Sequence, residues 1–99
     1  MIVVKATARV KADQKDAAVA AARAMATATE AEEGNISYTF SVDIDDPLRI
    51  HLFEEWHTDE ALTEHFSTPH MADFVTALGA VLDGGMPTTK YVVSESGPL

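Results

Sequence analysis

The chain contains no cysteine among its 99 residues. It can therefore form no disulfide, no thiolate metal site and no thiol nucleophile. No apolar run approaches the roughly 20 residues that a membrane-spanning helix needs, so we expect no membrane partner. The segment MIVVKATARV lacks the basic and apolar regions of a signal peptide and is typical of a strand. Together these absences favour a cytoplasmic location.

Basic residues are also scarce, with seven Lys and Arg against sixteen Asp and Glu and a formal net charge of -9. Such a surface repels nucleic acid and anionic membranes, and the few basic residues are scattered. No glycine-rich phosphate loop follows a strand, and no nucleophile elbow or calcium-loop pattern occurs. We therefore expect no nucleic-acid partner, and nucleotide binding and serine-triad chemistry have no support.

Apolar and polar residues alternate in two long stretches, which predicts half-buried strands, and an alanine-rich stretch between them predicts a helix. Asp13 is the expected cap of that helix and Gly34 its end, and Asp45-Asp46-Pro47 is typical of a turn. The predicted elements are strands at 2–10, 36–44, about 49–57 and 88–95, and helices at 14–31, after Thr58 and from Pro69.

This βαββαβ order predicts an α+β, ferredoxin-like fold, with an antiparallel sheet and helices on one face. A chain of this length is expected to be a single domain over residues 1–99. The even-numbered strand residues are apolar and should face the helices. The opposite face carries a polar, mixed set that nothing else in the chain can cover: Thr7, Arg9, Ser37, Thr39, His51 and Phe53. We therefore expect a homodimer formed by sheet-to-sheet packing.

Three of the four histidines lie in the segment FEEWHTDEALTEHFSTPHM at 53–71. His57, His65 and His70 are eight and five residues apart, which matches no helical i, i+4 pair, and no HExxH motif is present. The spacing therefore predicts no metal site. Strand parity also separates His57 from Trp56 and assigns His57 to the outer face.

The same parity places Glu54 and Trp56 toward the helices. A carboxylate in an apolar layer must be hydrogen-bonded or protonated, because desolvation raises its pKa. Glu54 is therefore either a functional acid or a sheet-edge residue that accepts hydrogen bonds from a helix start. His65 and His70 are either a proton acceptor and a substrate donor, or half-buried histidines bonded to carbonyl groups.

The alanine-rich helix predicts either a close backbone approach or unfilled volume beside the sheet. Large side chains would line such a volume as an aromatic pocket, and the alternative is an ordinary core. The candidates are Tyr38, Trp56, Phe66, Met71 and Phe74.

Four segments together resemble one family. They are E-E-G-N-I-S-Y at 32–38, D-D-P-L-R at 45–49, L-F-E-E-W at 52–56 and E-A-L-T-E-H-F-S-T-P-H-M-A-D-F at 60–74. In this order and spacing the chain is similar to the antibiotic biosynthesis monooxygenase family of dimeric α/β barrels, which includes quinol monooxygenases. The resemblance implies a ferredoxin-like subunit that dimerises through its sheet, with a pocket between sheet and helices. It also implies a cofactor-independent monooxygenase that acts with O2 on a hydroquinone or polyphenol.

Carried over by motif, Trp56, His65 and His70 are the polar pocket residues, with Glu54 shaping the pocket beside them. The implied substrate-binding walls are Tyr38, Phe66, Met71 and Phe74. Two alternatives stay open: an isomerase or degrading enzyme for phosphorylated autoinducer-2, and a non-catalytic module that binds an aromatic metabolite. The autoinducer-2 relatives tend to carry tyrosine where this chain has Trp56, which favours the quinol-type branch.

Overall fold

The computed structural model describes residues 1–99 and contains one four-stranded antiparallel sheet and three α-helices. The strands lie in the order β2-β3-β1-β4, which confirms the ferredoxin-like α+β prediction. In chain order the elements are β1 (Ile2–Arg9), a single 3-10 turn (Ala12–Gln14), α1 (Lys15–Glu30), β2 (Asn35–Val42), β3 (Arg49–Trp56), α2 (Asp59–His65), α3 (Pro69–Val81) and β4 (Thr88–Val92).

The two central strands carry the predicted period-two burial. In β1 the even-numbered residues Ile2 to Ala8 are buried, and in β3 the buried residues are Leu52, Glu54 and Trp56. The register pairs Trp56 with Ile2 on one side and with Asn35 on the other. Because side chains on paired positions share a face, Glu54 and Trp56 point toward the helices, as parity predicted.

The core lies between this face and the helices α1 and α3. Nine buried side chains form its main cluster, which includes Met25 of α1, Leu62 of α2 and Phe74 of α3. A smaller cluster of Val10, Ala18 and Val81 closes the far end.

The structure corrects three local predictions. Asp13 does not cap α1, because it lies inside the 3-10 turn and the N-cap position is Gln14, which makes no side-chain capping bond. Strand β2 ends at Val42, because Asp43 accepts hydrogen bonds from the backbone N–H groups of the following turn. Ile44 is consequently 99% exposed and not on the inner face. A bulge between Asn35 and Ser37 leaves Ile36 42% exposed.

The outer face of the sheet is uncovered within the chain. Phe53 is 45% exposed near its centre, and every residue of β4 is exposed, including Tyr91. No helix of the chain has both the length and the apolar character that crossing a bilayer requires. The homodimer, the single-domain boundary and the cytoplasmic location stay predictions.

Candidate functional site

The end of β3 carries a buried acid paired with the only tryptophan. Trp56 is fully buried, and its Nε1–H donates to Oε1 of Glu54 at 3.0 Å. Desolvation raises the pKa of Glu54 from its ordinary 4.5 to about 7. The Trp56 hydrogen bond lowers this pKa in part, and the charge of Glu32 raises it by a smaller amount. The carboxyl group can therefore gain or lose a proton near neutral pH.

Helix α2 places an imidazole directly on this pair. The Thr58 hydroxyl accepts from the Ala61 N–H at 3.1 Å and starts the helix, with Asp59 and Glu60 in its first turn. Seven residues later the helix ends at His65, which is 1% exposed. The His65 ring lies 4.8 Å from the Trp56 ring, centroid to centroid.

The link between α2 and α3 brings the second histidine to the first. The Thr68 hydroxyl donates to the His65 carbonyl at 2.8 Å and accepts from the Met71 N–H at 3.3 Å, so one side chain joins the two helices. Pro69 occupies the first turn of α3, where its missing N–H costs nothing. His70 follows, and the centroids of the His65 and His70 rings lie 5.8 Å apart.

Glu32, which the sequence predictions did not include, joins the two histidines. Its Oε2 lies 2.6 Å from Nδ1 of His65 and 2.8 Å from Nε2 of His70. Gly34 makes this approach possible, because a Cβ there would stand 2.2 Å from the Cβ of Ala61 on α2. In the segment E-E-G-N, a glycine two residues after an acid is the one local signal that could have indicated the approach.

The hydrogen bonds to Glu32 decide which ring nitrogens are free. A carboxylate can only accept, so Nδ1 of His65 and Nε2 of His70 carry the protons that face it. In the neutral rings, Nε2 of His65 and Nδ1 of His70 then keep their lone pairs. One carboxylate thus orients two imidazoles, each with a nitrogen able to accept a proton.

Tyr38 closes the cluster on the sheet side. It is 3% exposed, pairs with Glu54 in the register of β2 and β3, and its ring centroid lies 5.8 Å from that of His65. Burial raises the pKa of Tyr38 far above its ordinary value, and the charges of Glu54 and Glu32 add to the rise. Its phenol therefore stays protonated and can only serve as a neutral donor or acceptor.

Two grooves flank this cluster. One of about 230 Å³ lies between α1 and α3 and is bordered by His70, Met25 and Phe74. The other, of about 430 Å³, lies between α1 and β2 and is bordered by Tyr38 and Phe40. Glu54, Trp56 and His65 line neither groove, so three of the four predicted catalytic residues form a packed layer behind the surfaces that a ligand could reach.

The remaining predicted walls differ in position. Phe74 is buried, with its ring centroid 5.7 Å from that of Phe40, and Met71 packs partly buried against the core. Phe66 is 60% exposed and lies on the outer side of His65, with ring centroids 5.9 Å apart. The structure therefore brings Tyr38 and Phe74 to groove walls and leaves Phe66 at the surface.

Comparison with known proteins assigns the chain to a family. The family model described as "Antibiotic biosynthesis monooxygenase" matches residues 1–77. The chain belongs to the antibiotic biosynthesis monooxygenase family. Its N-terminal three quarters, which carry the match, include every residue of the cluster around Glu32.

Individual relatives agree with this assignment. The uncharacterized protein sll1783 of Synechocystis is 35% identical over 99% of this chain and 67% of its own length. The Bacillus subtilis protein YcnE, a candidate monooxygenase, is 25% identical over 96% of this chain and its own full length. The structure of Rv0793 from Mycobacterium tuberculosis superposes with a TM-score of 0.90 at 28% identity, covering 98% of each chain. The family membership confirms the resemblance, and the fold is the one these monooxygenase-like proteins share.

Proposed function

We propose that this member of the family is a cofactor-independent monooxygenase that acts with O2 on a hydroquinone or polyphenol. The single observation that carries the proposal is the Glu32–His65–His70 cluster, packed on the buried side chains of Trp56 and Glu54. The reaction needs a group that removes a phenolic proton before the electron-rich ring passes an electron to oxygen. One oxygen atom then enters the ring and the other leaves as water, with all electrons supplied by the substrate.

His70 is the proposed proton acceptor. Its side chain is 25% exposed and borders the groove between α1 and α3, whereas that of His65 is 2% exposed. The Nδ1 lone pair of His70 is the one left free by Glu32. The groove, at about 230 Å³, lies below the roughly 300–1,000 Å³ of pockets for drug-sized ligands, which favours a substrate with one ring.

The buried residues behind His70 supply electrostatics. A proton taken by His70 leaves an imidazolium beside the Glu32 carboxylate, which stabilises the cation through a short charge-assisted hydrogen bond. His65 shares the same carboxylate oxygen, and Glu54 lies behind it with a pKa near neutrality. The arrangement supports proton transfer to His70, because the positive charge that forms there faces a carboxylate.

Oxygen uptake tests this assignment. Metal-stripped protein is assayed in an oxygen electrode with a panel of single-ring and two-ring hydroquinones. We expect His70→Ala to lower kcat about 100-fold or more, because general base catalysis contributes about 10²–10⁴-fold. His57→Ala, which removes an exposed histidine outside the cluster, is the matched control and should keep full turnover.

Two outcomes would contradict the proposal. Full turnover in His70→Ala would refute His70 as the proton acceptor, and full turnover in His65→Ala as well would refute the acid–base assignment of the pair. No uptake above the buffer rate, together with tight aromatic binding, would favour the non-catalytic binding module. A phosphorylated substrate has less support, because the charged groups of the cluster include two carboxylates and none of the ion pairs joins either of them to Lys or Arg.

We also propose that the chain forms a homodimer through the outer face of the sheet. Phe53 and Tyr91 are exposed apolar side chains on that face, among small polar neighbours such as Thr39. Light scattering on a gel-filtration peak should give twice the 10.7 kDa chain mass, and Phe53→Glu should reduce it to that of one chain. A monomeric mass for the unmodified chain would refute the dimer.

A further inference from the structure

We propose that Glu32, His65 and His70 form a binding site for a divalent transition-metal ion of the zinc class. The three side chains come from different elements: the turn after α1, the end of α2 and the first turn of α3. One ligand atom from each lies within 4.8 Å of the other two. The spacing of the histidines along the chain does not indicate this site, because its third ligand lies 33 residues before His65.

The ligand chemistry supports a borderline metal. Two imidazole nitrogens and one carboxylate oxygen are a ligand set used by catalytic zinc sites and by non-haem iron, and no thiolate is required. Three protein ligands leave at least one coordination position for water or a small oxygen ligand, as in catalytic sites and unlike closed structural ones. One of the three ligands, His70, borders the flanking groove and is reachable from the surface.

The distances require only local adjustment. Zinc–nitrogen and zinc–oxygen bonds of about 2.0–2.2 Å place neighbouring ligand atoms roughly 3.3 Å apart in a tetrahedral site. The two nitrogens now lie 2.6 and 2.8 Å from Oε2 of Glu32, so the carboxylate would retreat by well under 1 Å. The two nitrogens lie within 4.8 Å of each other, and the rings would adjust until that separation is also about 3.3 Å. His70 has the freedom to follow, because its side chain is 25% exposed. Each neutral ring would carry its one proton on the other nitrogen, Nε2 of His65 and Nδ1 of His70, so that the nitrogen facing Glu32 can bind the ion.

The surroundings hold the three ligands near one another before any ion binds. Gly34 fixes the turn with Glu32 against α2, and the Thr68 hydroxyl ties the His65 carbonyl to the start of α3. The side chains of Glu32 and His65 are only 16% and 2% exposed, so water competes weakly for their ligand atoms. Such preorganisation distinguishes this cluster from the exposed pair of His51 with Asp43, whose His side chain is 36% exposed.

Titration with Zn²⁺ alone tests the site. Chelator-stripped protein is titrated calorimetrically, and Co²⁺ substitution reports the coordination by its visible d–d absorption. We expect one ion per chain. Because loss of mere supporting residues costs about 10–100-fold in affinity, Glu32→Gln and His70→Ala should each weaken binding by at least about 100-fold. His51→Ala should leave the affinity unchanged.

The variants also separate a built site from loose surface binding. Glu32→Gln keeps the size of the side chain, and circular dichroism establishes that each variant is folded. Affinity for Zn²⁺ that is equal in Glu32→Gln, His70→Ala and the unmodified chain would overturn the proposal, as would a Co²⁺ spectrum identical to that of the aqueous ion. These readouts do not involve oxygen uptake, so the metal site and the proposed monooxygenase activity can fail separately.

Discussion

Replacement of Glu54 by Gln should stabilise the protein at alkaline pH and should bring no gain at acid pH. Glu54 is 6% exposed, and burial raises its pKa from 4.5 to about 7. Below pH 4.5 the carboxyl is protonated in both the folded and the unfolded chain, so it contributes nothing. Between pH 4.5 and 7 the unfolded chain releases the proton and the folded chain keeps it, so the free energy of unfolding falls as pH rises.

The size of the effect follows from the same pKa. A rise from 4.5 to about 7 corresponds to about 3 kcal/mol of lost stability, complete above pH 8. Gln keeps an oxygen that can accept the Trp56 Nε1–H and never ionises. Its amide adds donors to a buried site, which lowers the net gain to roughly 1–3 kcal/mol above pH 8.

Urea denaturation followed by Trp56 fluorescence, at pH 4.5, 6, 7 and 8.5, measures this difference. Glu55→Gln is the matched control, because it removes the adjacent carboxylate from the outer face, where Glu55 accepts from Ser37 at 2.7 Å. A difference between Glu54→Gln and the unmodified chain that stays constant from pH 4.5 to 8.5 would show that Glu54 does not carry the raised pKa.

Three further substitutions test the packing around the cluster. Trp56→Phe removes the Nε1–H donor to Glu54, so the free energy of unfolding from circular dichroism melts should fall by roughly 1.5–3 kcal/mol above pH 8. The fall should be smaller at acid pH, where Glu54 is protonated, and equal falls at both pH values would contradict this. Gly34→Ala should lower the free energy of unfolding in urea titrations by roughly 1–3 kcal/mol, because the new methyl group overpacks against Ala61. Adding Ala61→Gly should restore part of that stability, and no restoration would exclude the contact as the cause. Phe74→Ala should lower the free energy of unfolding by about 3–5 kcal/mol, and a loss below 1 kcal/mol would mean that the groove wall collapses to fill the space.

The order of the elements predicted the fold, and strand parity predicted that Glu54 and Trp56 face the helices. The alternation in β1 and β3 is strict, and one face of each strand must leave water, so the positions of Glu54 and Trp56 followed from counting. Parity failed in β2, where a bulge after Asn35 and an aspartate-rich turn altered the chain path. Both failures arise from side-chain or backbone details that periodicity does not encode.

The histidine pair could be predicted only as a possibility, and its carboxylate not at all. His65 and His70 converge because Thr68 joins the end of α2 to the start of α3, a tertiary geometry with no fixed spacing. Glu32 reaches them because Gly34 lets a turn touch Ala61 of α2. That contact depends on the packing of two segments that local sequence patterns treat as independent.

The charge balance of the cluster links the proposals made for it. The charge of Glu32 raises the pKa of Glu54, and none of the ion pairs offers either carboxylate a Lys or Arg. A dry layer tolerates such a pair only if positive charge or protons accompany it. Protons held by Glu54 and the imidazoles are one way to offset this negative charge. A phenolic proton taken by His70 would add positive charge beside Glu32. A divalent ion between Glu32 and the two imidazoles is the other way, because its charge balances the carboxylates that no basic residue accompanies.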